Sequence, residues 1–424
     1  MNRSFLSLVS IVSLSITSSS IATDDVLLIT SEELKESWQT YADWKAKSGK
    51  NVKIITTQQI SKAEKGIDIQ EKIRLCVRDH IDTKGTRWVV IGGDSQPQSL
   101  NNGGIVPDRD TVHTTMWGTK KDIPTDIYYL SPTNWDSDGD GIYGEFVDDK
   151  EDITYPDGTI GLGRIPVRTA EDVAAYTAKV ISYESNYPEG EFSNNMTYTC
   201  TVSSAYPKVM RSWDDHVSKQ LPDGKLTRFF VHKTPWDKEK PGDFPLSTTN
   251  LVDQINSKTV GKFHIHGHGL PHCWILEKHE IFTAKHVAQL NNKDAYPIIT
   301  TVSCFTGQYD TKKDPSIVES MLRVPEAGAI AVVAPCREGK PHFVNPQLEF
   351  TQMVREGKMD GTTETMTLFW ENGIGKKLST GEALMLSKSS QIQRARISPY
   401  FHMCLCELNL LGDPTIMVHP ENSK

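Results

Sequence analysis

Two short apolar runs in this chain each stop at a side chain able to do chemistry. GKFHIHGHG reaches His268 and Gly269, and DAYPIITTVSCFTG carries Cys304. Ligands of open α/β sheets collect outside the carboxyl ends of the strands, so two such runs side by side would present an imidazole and a thiol to one cleft. That pair is a nucleophile with its base, the chemistry of a cysteine peptidase. His268 would raise the reactivity of the Cys304 sulfur or protonate the leaving amine. Backbone N–H groups of Gly269 and Cys304 are the natural oxyanion donors, and a glycine lets a substrate carbonyl approach closely. Asp214 and Asp215, earlier in the same half, are candidates for a carboxylate that orients the imidazole.

The histidines allow other readings. His264, His266 and His268 alternate, so on one strand they would share a face. With His272 they could hold zinc in a hydrolase, or they could be satisfied core residues. The strand-terminal His-Gly followed by a strand-terminal cysteine favours the peptidase reading, and the interval from 268 to 304 leaves room for one crossover helix between adjacent parallel strands.

A second chemical feature is the loop Asp136-Ser137-Asp138-Gly139-Asp140-Gly141-Ile142. Three carboxylates at alternate positions around a glycine turn can wrap a hard cation, with the Ile142 carbonyl as a further oxygen ligand. Val147 stands where an EF-hand would place its glutamate, so Glu145, Asp148 or Asp149 must complete the shell. The expectation is a structural calcium ion held by Asp136, Asp138, Asp140, Ile142 and Asp148.

The elements that must position these groups alternate in type. Val26 to Ile29, Val52 to Thr56 and Trp88 to Ile91 read as strands. Between them lie a helix through Trp44, capped by Thr30 and Glu33, and another over Ile69 to His80. Alternation predicts a mainly parallel sheet with crossover helices. Asn101 to Pro124 reads as a polar loop or lid, Gly161 to Val167 as a short strand with a buried or paired Arg164, and Thr169 caps a helix through Tyr183. Glu184 to Asn195 is the best linker, dividing an α/β subdomain over 23–190 from a second over 191–424. Further strands follow at Met196 to Ser203, Leu226 to His232, Ala329 to Ala334 and within Asn409 to Val418, with helices at Trp213 to Leu221 and Ser316 to Arg323.

Length and composition suit two or three lobes: 424 residues, 24% charged, net charge −8, with no basic run that would suggest nucleic acid as partner. Residues 1–22 read as a signal peptide, with Arg3, an apolar run from Phe5 to Ile16 and cleavage after Ala22. A secreted or periplasmic protein without a transmembrane segment is expected. Seven cysteines are scattered, Cys404 and Cys406 falling on a strand-like run.

These motifs together resemble the gingipain family of cysteine peptidases, within the caspase-like group. The matching pieces are Gly267-His268-Gly269 with Trp274, SCFTGQYD around Cys304, GAIAVV, DIYY before the acidic loop, GRIPVRTAEDV from Gly163 to Val173, and GDPT from Gly412 to Thr415. The resemblance implies a His268–Cys304 dyad, Trp274 near the substrate, bound calcium, a caspase-like second subdomain and a protein or peptide substrate. Gingipains carry a long prosegment, whereas here the first strand starts almost at the expected cleavage site, so zymogen control by such a segment is not expected.

Overall fold

Short runs of buried β-branched and leucine side chains build the central layer. In the computed structural model, Val26–Thr30 (β1), Val52–Thr56 (β2), Trp88–Gly92 (β3) and Gly161–Ile165 (β6) form its first part. Between β3 and β6, Arg109–Thr114 (β4) and Lys120–Thr125 (β5) pair as a separate antiparallel hairpin. The structure describes all residues except 1–22, 96–103, 115–119, 153, 155, 157, 202–206, 222, 232–241, 278, 312–313, 340–359 and 420–424. The expected signal peptide lies outside the described residues, as does part of the expected lid.

The second part of the sheet uses Met196–Cys200 (β7), Leu226–Phe230 (β8), Phe244–Pro245 (β9), Lys262–His266 (β10), Ile298–Thr301 (β14) and Ala331–Pro335 (β15). The last strand, Leu408–Gly412 (β16), joins the two parts into one eleven-stranded sheet of order β2-β1-β3-β6-β16-β15-β14-β10-β7-β8-β9. Only the β15–β16 pairing is antiparallel among the described pairs of this sheet. The α/β class and the mainly parallel sheet are those expected. Strands before residue 190 lie on one side of β16 and the later ones on the other, within a continuous sheet.

Several local expectations need correction. Thr30 does not cap a helix: its hydroxyl donates to the Gly92 carbonyl at 2.6 Å, tying β1 to β3. A 3₁₀ turn at Glu36–Trp38 intervenes, and the helix starts at Gln39. The polar stretch read as a lid contains β4 and β5, with Asp108, Arg109, Thr111 and His113 buried. Cys404 and Cys406 lie on a helix, Pro399–Glu407, which Ser398 caps and Pro399 opens. Proline fits the first helical turn and overrides the alternating pattern there. The strand near the C-terminus precedes the GDPT turn rather than following it.

Arg164 is buried and paired, as expected. Its guanidinium donates to Asp126 at 2.5 and 2.7 Å and to the carbonyls of Gly93, Val106 and Pro107. Burial opposes its charge, but Asp126 holds it above its usual range. This one side chain ties β6 to the loops on either side of the β4–β5 hairpin.

Candidate active site

β10 and β14 run parallel in register, Lys262 opposite Ile298 and Ile265 opposite Thr301. Every residue of both strands is buried, including Lys262, His264 and His266, because both faces of a central parallel sheet are covered. At their carboxyl ends the two chains are stitched together. Thr301 Oγ1 donates to the Ile265 carbonyl at 3.0 Å, Val302 N–H donates to the same oxygen at 3.2 Å, and Ser303 N–H donates to Thr301 Oγ1 at 3.1 Å.

Beyond β10 the chain does not form the expected helical spacer. His268–Leu270 (β11), Cys273–Glu277 (β12) and Glu280–Thr283 (β13) make a small antiparallel sheet, followed by a single helical turn at Ala284–Val287. Period-two burial explains this: Gly269, Trp274, Leu276 and Phe282 face inward, while His268 and Leu270 are exposed. A Cβ on Gly269 would stand 2.5 Å from Thr306 Cγ2 and 2.8 Å from the Cys304 carbonyl oxygen. Only glycine lets β11 press directly on the cysteine loop. His268 is exposed and Cys304 half-buried, with Cys304 Sγ 3.8 Å from the Gly339 carbonyl.

The loop after Cys304 is held in an unusual conformation. Phe305 has φ of 63°, and its N–H donates to the Arg337 carbonyl at 2.6 Å. Left-handed backbone is costly for a bulky side chain, so its neighbours must enforce it. Arg337 is clamped by Asp310 through two bonds of 2.9 and 2.7 Å, and its Nε donates to the Asp122 carbonyl of β5 at 2.7 Å. Burial opposes the guanidinium charge, but Asp310 keeps it above its usual range.

Around Arg337 lies an acidic group. Burial pushes Asp110 up to about 6, with Asp310 and Asp122 adding to the rise and Arg337 opposing it. Asp108 is raised by burial and then by Asp110, against a hydrogen bond from Ser95. Sequence reasoning missed this group. A signal existed: the apolar strand at Ala329 to Ala334 runs straight into Cys336-Arg337, a third strand end bearing a charge.

The four histidines do not converge. His264 is buried, stacked on Trp213 at 4.5 Å, with Nδ1 2.8 Å from Thr300 Oγ1. That hydroxyl also accepts from Trp370 Nε1 at 3.0 Å and faces the Phe263 carbonyl at 3.5 Å. Burial pushes His264 down to about 3. His266 lies buried on the same strand, whereas Gly267 turns the chain so that His268 belongs to a different sheet. His272 is exposed and donates from Nδ1 to the Pro315 carbonyl at 3.0 Å. The expectation that three histidines share one strand face is corrected by this turn, and the zinc reading loses its ligand set.

Asp214 is buried and gives both oxygens to Arg228 of β8, at 2.7 and 2.9 Å. Its neighbour Asp215 is exposed. Trp274, expected near substrate, is fully buried on the inner face of β12, its ring 5.4 Å from that of Phe282, where it supports the sheet under His268.

The acidic loop has the anticipated shape. Carboxylate oxygens of Asp136, Asp138 and Asp140 lie within 4.8 Å of one another, and no other such group of acidic, histidine or cysteine ligands occurs among the described residues. Gly139 and Gly141 take φ of 78° and 81° to make the turn. Asp149 is nearly inaccessible and accepts from Ser137 N–H, Ser137 Oγ and Glu145 N–H, so it braces the loop base. Asp148 is exposed, and its carbonyl accepts from Ser137 Oγ. Three carboxylates so close repel one another without a counter-ion, and an all-oxygen set suits calcium.

Comparison with known proteins bears on the family and the fold. No curated protein matches the chain. Among solved structures, the Arg specific cysteine proteinase gingipain R superposes with a TM-score of 0.65 at 15% identity, over 94% of this chain and 79% of that one. The complex of Porphyromonas gingivalis RgpB pro- and mature domains gives 0.61 at 16% identity, over 93% and 79%. At such identities these establish the shared fold. The sequence pattern of Peptidase family C25 extends over residues 20–419, almost the whole chain. With the cysteine and histidine strand ends inside that span, the chain belongs to peptidase family C25, the gingipain-type cysteine peptidases.

Proposed function

We propose that this peptidase is an endopeptidase in which Cys304 is the nucleophile and His268 the proton carrier. The observation that supports this most is the register of β10 with β14, which delivers both residues to one end of the sheet at the same distance past the last pair. His268 takes the Cys304 thiol proton, the resulting thiolate attacks the substrate carbonyl carbon, the carbonyl π electrons move to oxygen, and N–H groups of Gly269 and Cys304 stabilise the oxyanion. The Phe305 N–H is already committed to Arg337, which leaves it out of that role. Collapse of the intermediate expels the amine as His268 gives it a proton, and water then hydrolyses the thioester with His268 as base. Asp214 is bound to Arg228, so orientation of the imidazole falls to other groups.

The acidic loop would hold calcium through Asp136, Asp138 and Asp140, with the Ile142 carbonyl and Asp148 completing the shell, in a structural role. Residues 1–22 would direct export, and no helix among the described residues is long and apolar enough to cross a membrane. The test is hydrolysis of a peptide mixture by purified protein. Cys304→Ala should abolish it, and retained hydrolysis would contradict the proposal.

A further inference from the structure

The small sheet that carries His268 has an outer face which the mechanism above leaves unused. On β11–β12–β13 the register sets His268 opposite Ile275 and Ile275 opposite Ile281. These three side chains form one row across the sheet, and Leu270 lies two residues beyond His268 on the same face. The opposite face carries Gly269, Trp274, Leu276 and Phe282, all buried. Leu270 is 53% exposed, Ile281 43% exposed, and Ile275 half-buried between them. The other large exposed hydrophobics among the described residues, Ile67, Val147, Phe244 and Ile397, lie outside this small sheet. An apolar shelf of three aliphatic side chains therefore begins at the candidate base, rimmed by the exposed polar residues His272 and Glu277.

We infer that this shelf is the subsite for the leaving half of the substrate, and that it selects aliphatic side chains just after the scissile bond. The inference rests on His268 as the acid that protonates the departing amine. That nitrogen must come within hydrogen-bond reach of the imidazole, so the residue carrying it lies directly beside Leu270 and Ile275. Cross-strand neighbours are about 5 Å apart, and alternate side chains of an extended peptide about 7 Å apart. The first residue after the scissile bond thus covers Leu270 and Ile275, and the third reaches Ile281. A charged side chain in either place would lose hydration over aliphatic carbon without gaining a partner.

Hydrolysis by the full chain of quenched-fluorescence peptides with a constant acyl half and Leu, Ser, Asp or Lys at the first and third leaving positions tests this. Leu should exceed Asp by about tenfold in kcat/KM, as expected for a partly open apolar site. In the double variant Leu270→Ser with Ile281→Ser the preference should shrink to within about twofold. The same variant should react at the wild-type rate with a peptidyl chloromethyl ketone, which has no residues on the leaving side. A flat profile in the wild type, or an unchanged preference in the variant, would overturn the inference. So would a dimer in sedimentation that the double variant disperses, because the face would then belong to a second copy. His268→Ala separates the two levels: if it cleaves normally, the assignment of the base fails, whatever the serine variants do to selectivity.

Discussion

His268 and Cys304 each stand three residues beyond a register pair, Ile265 with Thr301, on adjacent parallel strands. The Thr301 hydroxyl bonds across that pair, so the two chain exits are fixed relative to each other before either reactive residue is reached. The catalytic reading depends on that seam.

The Phe305 backbone and Arg337 form the strut behind the cysteine. Arg337→Ala should lower kcat by about 100-fold, as a displacement of about 1 Å does, while KM changes little. Asp310→Asn should act in the same direction, and the double variant should be no worse than Arg337→Ala, since both remove one clamp. Arg337→Lys should recover only part of the rate because an ammonium cannot make the two-pronged contact. Steady-state kinetics with a circular dichroism check on folding measures this.

Acid should weaken the fold through its buried histidines. Burial holds His264 near 3 and His402 near 4, in each case below the usual imidazole value. The unfolded chain therefore binds protons first as pH falls. Their stabilising contribution is whole above about pH 6.5 and is lost as pH drops toward 4. His402 bonds to the Gly144 carbonyl at 2.9 Å beside the acidic loop. Urea midpoints measured from pH 7 to 4 should fall, and His402→Gln should reduce proton uptake on unfolding by about one near pH 5.

Asp110 behaves oppositely. Its folded value of about 6 lies above that of the free carboxyl. The folded state binds the proton more tightly, so stability from this group declines as pH rises through the window from about 4 to 6. Asp110→Asn should raise the melting temperature at pH 7 and leave it nearly unchanged at pH 4.

Calcium should act on stability. A ligand that binds only the folded form at 100 times its dissociation constant adds about 2.7 kcal/mol. Adding calcium to chelator-treated protein should raise the melting temperature by a few degrees, and Asp138→Asn with Asp140→Asn should cancel that rise. An equal rise in the double variant would place the ion elsewhere.

Local pattern made much of the molecule legible. Short runs rich in apolar and β-branched residues gave β1, β2, β3, β7, β8, β10 and β14 within a few residues, because buried parallel strands favour such side chains. The spacing of Asp136, Asp138 and Asp140 is itself the loop geometry. What escaped depends on pairing over distance. The position of β16 between β6 and β15 is set by partners distant in sequence, and no local signal encodes it. The β11–β13 sheet was hidden by a stretch whose apolar residues fit either period. Arg337 and Asp310 escaped because an ion pair is invisible until the fold joins its halves.

The most direct measurement is covalent labelling of the purified protein, in calcium, by a panel of peptidyl chloromethyl ketones, followed by peptide mapping. The account predicts one adduct, on Cys304, formed at least 100-fold more slowly by His268→Ala if the imidazole activates the thiol. A main adduct on any other residue, or equal rates for the wild type and His268→Ala, would contradict it.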